Sequence, residues 1–124
     1  MLPPPQTCRT SDASVSVGVS KDPSIVAACS AGTAAQGEKP AGTATLGGVS
    51  FTRFTFEDND AGNRYTSTIY RAASGGTCYE LVEFLHWAAS ENFSPGAIKE
   101  FDRTKIEAEL RAITRSFAIT GRPL

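Results

Sequence analysis

Residues 75–87 read GGTCYELVEFLHW, and whether this stretch is extended or helical decides the fold. It holds one of the chain's three cysteines, its single histidine and its single tryptophan. As a strand it puts Cys78, Glu80, Val82, Phe84 and His86 on one face and Tyr79, Leu81, Glu83, Leu85 and Trp87 on the other. As a helix, Cys78, Leu81, Val82, Leu85, Ala88 and Ala89 make an equally good apolar stripe. Periodicity leaves both open. Gly75-Gly76 favours the strand, because a glycine pair supplies the positive φ of a tight hairpin turn and would fold this segment back on residues 64–71.

The same logic extends upstream. Arg64-Tyr-Thr-Ser-Thr-Ile-Tyr-Arg71 is rich in aromatic and β-branched residues and reads as a strand. Gly47-Gly48 separates Thr43–Leu46 from Val49–Phe56, a second hairpin. Residues 57–63, Glu-Asp-Asn-Asp-Ala-Gly-Asn, read as a loop, and residues 30–43 as a surface loop by composition. In Ala13-Ser-Val-Ser-Val-Gly-Val19, apolar residues alternate with small or polar ones, the pattern of a half-buried strand. Asp22-Pro23 then supplies a capping side chain and a first-turn proline, opening a short helix through Ile25 and Val26 toward Cys29.

Downstream, Ile106, Leu110, Ile113 and Phe117 follow the spacing of one helical stripe, predicting a C-terminal helix over residues 102–117. Asp102 is placed to cap it, and Phe101 with Ile106 to form a hydrophobic staple. The stripe should meet the more apolar face of the sheet. The expected fold is therefore α+β: an antiparallel meander of about five strands, the C-terminal helix packed on one face and a short helix after the first strand.

The chain has 124 residues, room for one domain, which we place at 11–120 behind a flexible proline-rich arm at 1–10. Hydrophobic residues make up 40% and charged residues 20%, which points neither to disorder nor to a membrane span. Twelve Lys and Arg stand against thirteen Asp and Glu, scattered, so the basic footprint that nucleic acid requires is missing. Met1-Leu-Pro-Pro-Pro5 lacks the basic and apolar stretches of a secretory signal, and Pro5-Gln-Thr7 is not the small-residue approach of a lipoprotein cysteine at Cys8. Two readings follow: a cytoplasmic protein, or the mature piece of an exported one.

The order Gly47-Gly-Val-Ser-Phe-Thr-Arg-Phe-Thr55, Ala61-Gly-Asn-Arg-Tyr-Thr-Ser-Thr-Ile-Tyr70, Thr77-Cys-Tyr-Glu-Leu81, Glu100-Phe-Asp-Arg-Thr-Lys-Ile106 and Ile113-Thr-Arg-Ser-Phe117 resembles a group of uncharacterised bacterial exported or lipoprotein domains of PsbP-like α/β/α fold. The resemblance implies that residues 78–86 form a strand and that the protein works in the periplasm or outside the cell. It implies no enzymatic role. An exported domain with two or more cysteines often pairs them, and the expected bridge is Cys29 to Cys78, leaving Cys8 free or joining two molecules. The alternative is three reduced thiols, with Cys78 buried as a small hydrophobe.

No convergent chemistry is legible. Cys78 and His86 are eight residues apart, about 27 Å in a strand at roughly 3.4 Å per residue and about 12 Å in a helix, too far to share a proton. Glu83-Phe-Leu-His86 has the Glu-x-x-His spacing of carboxylate-bridged metal sites, which need a helix, a second such motif and further inward glutamates. A calcium loop starting at Asp58 fails at Gly62, Asn63 and Ile69, where an oxygen ligand, a glycine and a bidentate glutamate belong. Asp58 and Asp60 keep only a weak cation-binding role. Asn92-Phe-Ser94 is a formal glycosylation acceptor followed by Pro95. Trp87 and Phe93 are candidates for an aromatic contact patch, and His86 for a polar contact at a strand end.

The leading expectation is a non-enzymatic binding or accessory module, with no cofactor and no metal, whose partner is a protein or small ligand. The alternative is a ligand carrier or small enzyme whose site assembles from loops 57–63 and 88–100 with Glu80 or His86. A homodimer through a sheet edge or through Cys8 is a third possibility.

Overall fold

Each segment read as extended forms a strand, and the glycine pairs set where the chain reverses. The computed structural model describes residues 11–31, 37–60, 62–88 and 103–119. In chain order they form β1 (Ser11–Ser20), α1 (Pro23–Ala27), β2 (Lys39–Leu46), β3 (Val49–Asp60), β4 (Asn63–Ser74), β5 (Thr77–Ala88) and α2 (Arg103–Arg115). The fold is α+β, with one five-stranded antiparallel sheet in the order β1-β5-β4-β3-β2. The 1–10 arm with Cys8, the 89–100 segment with Asn92 and Phe93, Phe101, Asp102, Gly121 and Pro123 lie outside the described residues.

Gly47 and Gly48 have φ of 57° and 80°, and Gly75 and Gly76 have φ of 60° and 77°. Both central residues of each turn are thus left-handed, the twist that matches the strands they join. Ser74 consequently pairs with Thr77, and every position of GGTCYELVEFLHW takes its face from that register. Gly47 has a second reason to be glycine, since a Cβ there would lie 2.7 Å from the Phe117 carbonyl oxygen. Asp22 caps α1 by accepting from the Ser24 amide at 2.9 Å and the Ser24 hydroxyl at 2.7 Å. These hydrogen bonds, the side-chain one foremost, hold its carboxyl below the usual value.

Several elements depart from expectation. The sheet is a meander only from β2 to β5, and β1 pairs with β5 rather than β2. The chain leaving β1 crosses the sheet to reach the far edge, placing α1 and Glu38 over one face. Residues 57–60, expected as loop, continue β3, and Asp60 pairs with Asn63. β2 pairs with β3 only as far as Thr55, so residues 57–60 form a sheet edge, where polar side chains need no alternating pattern. β2 begins at Lys39, inside the stretch expected as loop, with a register shift between Pro40 and Thr43. An edge strand tolerates proline because one side of its ladder needs no donor. Arg53 fastens the bulge by donating to the Ala41 carbonyl at 3.1 Å.

The main core lies on the face carrying the odd-numbered residues of β5. Leu46, Phe51, Tyr70, Ala72 and Leu81 are buried there, with Ala44, Val49, Tyr79 and Phe117 packed against them. Phe117 meets Phe51 edge-to-face at 5.5 Å, so the residues after α2 close this core. α2 lies against β1 and β5, burying Leu110 and Thr114. Ile113, expected in the buried stripe, is 56% exposed. Thr114 takes the inward position because a buried carboxylate, Glu83, accepts its hydroxyl. β1 was expected to be half-buried, yet Val17 and Val19 are 57% and 65% exposed, because β1 is an edge strand and α2 does not cover these positions. On the opposite face Phe54, Ile69, Cys29 and Cys78 are also buried.

Candidate functional site

Strand alternation separates most of the residues that the sequence had placed together. Glu83 and His86, three apart in β5, project from opposite faces, so the Glu-x-x-His pair cannot hold one ion. Glu83 is part of a structural network beneath α2. It accepts from the Tyr70 hydroxyl at 3.0 Å, from the Thr114 hydroxyl, and from Arg111 Nε at 3.2 and 3.4 Å. Burial, then the charge of Glu83, raises the Tyr70 pKa above its ordinary value. Burial lowers that of Arg111, but Glu83, Tyr70 and Glu107 together outweigh it and the net shift is upward.

His86 occupies the face opposite α2. Its Nδ1 lies 3.1 Å from Asp12 Oδ2 and its Nε2 2.9 Å from Asn63 Oδ1, while its ring stacks on Tyr65 at 4.7 Å. Both ring nitrogens are engaged by neighbours on β1 and β4, so neither is turned toward a reacting group. The histidine joins three strands. Cys78 offers no nucleophile, because its Sγ lies 2.04 Å from that of Cys29, at bonding distance. This is the geometry of the Cys29–Cys78 pairing expected from the sequence, which ties the residues after α1 to the start of β5.

The remaining candidates do not converge. Asp58 is exposed and accepts from the Asn59 amide at 2.9 Å, and it lines a cavity of 320 Å³ with Phe56, Tyr65, Ser67 and Phe84. Trp87 faces the other side, with Arg103 4.5 Å above its ring, and borders a separate cavity of 150 Å³. The side chain of Asp60 and the whole of Phe93 lie outside the described residues. Of the alternative site, residues 57–60 continue β3, and the 89–100 part lies outside the described residues.

What the fold builds instead is a cleft at the disulfide end of the His86 face. It has a volume of 440 Å³ and lies between α1, the end of β1 and the starts of β5 and α1's connecting chain. Ile25, Ala28 and the Cys29–Cys78 bridge form its apolar part, and Arg71 and Glu80 bring charge to it. Gly18 adds no side chain there, and a Cβ at that position would meet nothing within 4 Å.

Arg71 is the organising group. Its Nη1 and Nη2 donate to both oxygens of Glu38 at 2.6 and 2.8 Å, its Nε donates to Glu80 at 2.8 Å, and its guanidinium lies over the Phe54 ring at 5.3 Å. The hydrogen bonds it donates to Glu38 keep its pKa above the ordinary value, against the burial that lowers it. Two carboxylates face one guanidinium, and of the three groups Arg71 and Glu80 line the cleft. Glu80 is the more open of the two, its side chain 41% exposed against 9% for Glu38.

No family model, curated protein or solved structure matches this chain. Among the described residues, no helix is long and apolar enough to cross a membrane.

The sequence reading missed Arg71 as a site residue, although a signal for it existed. A turn at Gly75-Gly76 sets Ser74 opposite Thr77 and hence Arg71 opposite Glu80. Glu38 had no such signal, because its approach depends on the chain crossing the sheet.

Proposed function

We propose that the protein is a non-enzymatic binding domain of PsbP-like fold, working in the bacterial envelope or outside the cell, and that the cleft beside the disulfide takes a small amphipathic ligand. The observation carrying this reading is the pairing of an apolar wall, Ile25, Ala28 and the Cys29–Cys78 bridge, with a charged floor at Arg71 and Glu80 in one concavity. Sites for small ligands combine these features, the apolar part supplying affinity and a few polar groups fixing orientation. The Cys29–Cys78 bridge supports an oxidising compartment. Helices against both sides of an antiparallel sheet support the PsbP-like assignment.

The charge balance selects the head group. An incoming carboxylate would meet a guanidinium whose charge is already matched by Glu38 and Glu80. A cationic or hydrogen-bond-donating group meets Glu80 without breaking the triad. The test is thermal unfolding in the presence of octylamine, octanol and octanoate, which share one apolar tail. The expected order of stabilisation is amine, then alcohol, then acid, and Ile25→Glu should abolish it for octanol. If none raises the midpoint, or if Ile25→Glu leaves the octanol shift intact, the cleft is not the binding site.

A further inference from the structure

We propose that β1 is an assembly edge, and that two copies of the chain join antiparallel along it to form one continuous ten-stranded sheet.

The two edges of the sheet are built differently. β2, on one side, carries Lys39, Pro40, a register shift and Gly42 at a φ of 87°, features that discourage further pairing. β1, on the other, pairs with β5 through ten consecutive residues without a shift, and Ser11–Ser20 contains neither proline nor lysine. It is a long, regular edge with one charged side chain, Asp12, and that group turns back onto His86. Among the described residues no strand lies outside it.

The apolar layer runs out to this edge without being closed. Val17 pairs with the buried Leu81, and Val19 with Tyr79 of the core, yet the two valines are 57% and 65% exposed. α2, which rests on β1 and β5, leaves Ile113 56% exposed. Among the described residues, three of the four large exposed hydrophobics therefore belong to β1 or to the helix beside it.

The occupant that fits is a second copy. In an antiparallel pair, directly opposed residues share a face, so a two-fold axis normal to the sheet requires partners whose numbers sum to an even value. Centring the axis on Ser16 sets Val15 opposite Val17 and Ala13 opposite Val19, apolar against apolar. It also sets Ser14 opposite Gly18 and Asp12 opposite Ser20. Centring it on Val17 instead would bring Asp12 against Asp22 of the other copy, like charge against like. The Ser16 register avoids that clash and brings the Asp12 end of each copy to the Lys21 end of the other, where the charges are opposite. On the cleft face, Ser14 of the second copy would come beside Gly18 and so extend the cleft wall.

The test uses the full chain carrying Cys8→Ser, which removes thiol bridging while keeping the Cys29–Cys78 bond. Sedimentation equilibrium across a dilution series should give the mass of two chains. Val17→Lys, at an exposed position, should give one chain with an unchanged circular dichroism spectrum. Ser16→Cys should form a covalent dimer under mild oxidation, since opposed residues of an antiparallel pair come within disulfide reach. A single-chain mass at every concentration of the Cys8→Ser protein would overturn the proposal. So would a dimer that survives Val17→Lys, or a Ser16→Cys protein that stays uncrosslinked.

Discussion

Thr114→Val isolates what Glu83 does beneath α2. The substitution keeps the branched shape and the volume, so it opens no cavity, and the helical propensities of the two residues are close. It removes one hydroxyl. That hydroxyl donates to Glu83, and Thr114 and Glu83 are 0% and 5% exposed, so water cannot replace the lost hydrogen bond. Glu83 would retain Tyr70 at 3.0 Å and Arg111 at 3.2 Å. A hydrogen bond to a charged group contributes about 1.5–3 kcal/mol, and about 2 is the working value here. With a urea dependence of about 1.5 kcal/mol per molar, the midpoint should fall by roughly 1.3 M at unchanged slope. Ile113→Ser, one residue away but exposed, serves as the control and should shift stability by less than about 0.5 kcal/mol. If the two variants lose the same amount, or if Ile113→Ser loses more, the inward face of α2 has been misassigned and the polar network does not anchor the helix.

Further outcomes follow from the same structure. Leu110→Ala should cost about 2–5 kcal/mol by leaving a cavity under α2, and an unchanged melting midpoint would contradict burial there. Alkylation without reductant should label Cys8 alone, and three labelled thiols would disprove the bridge. Replacing Cys29 and Cys78 together by serine should cost about 4 kcal/mol on the loop-entropy estimate for a 49-residue separation, read from chemical denaturation. Tyr70 has a folded pKa above its unfolded one, so its contribution is present below about pH 10 and is lost as pH rises through the folded value. Stability of the native protein should therefore fall above that pH, and in Tyr70→Phe this component of the fall should vanish.

The sequence by itself determined the local structure. Gly47-Gly48 and Gly75-Gly76 marked two reversals, Asp22-Pro23 marked the start of α1, and the alternation in Ala13–Val19 marked β1 as extended. Each of these follows from interactions between residues a few positions apart, where steric limits and capping hydrogen bonds act without reference to the rest of the chain. Hairpin register belongs to the same class, and with it the meeting of Arg71 and Glu80.

Tertiary structure decided everything that depends on chain crossing. β1 came to rest on β5 rather than β2, which left Val17 and Val19 at an open edge and brought Asp12 to His86. Glu38 reached Arg71 only because the chain after α1 passes over the sheet, and that approach turned an ordinary cross-strand pair into the floor of a cleft. The side of α2 that is buried was likewise not a matter of apolar spacing. Thr114 displaced Ile113 because a carboxylate taken into the interior must be satisfied by donors, and no pattern of hydrophobicity along one helix reports what waits on the sheet below.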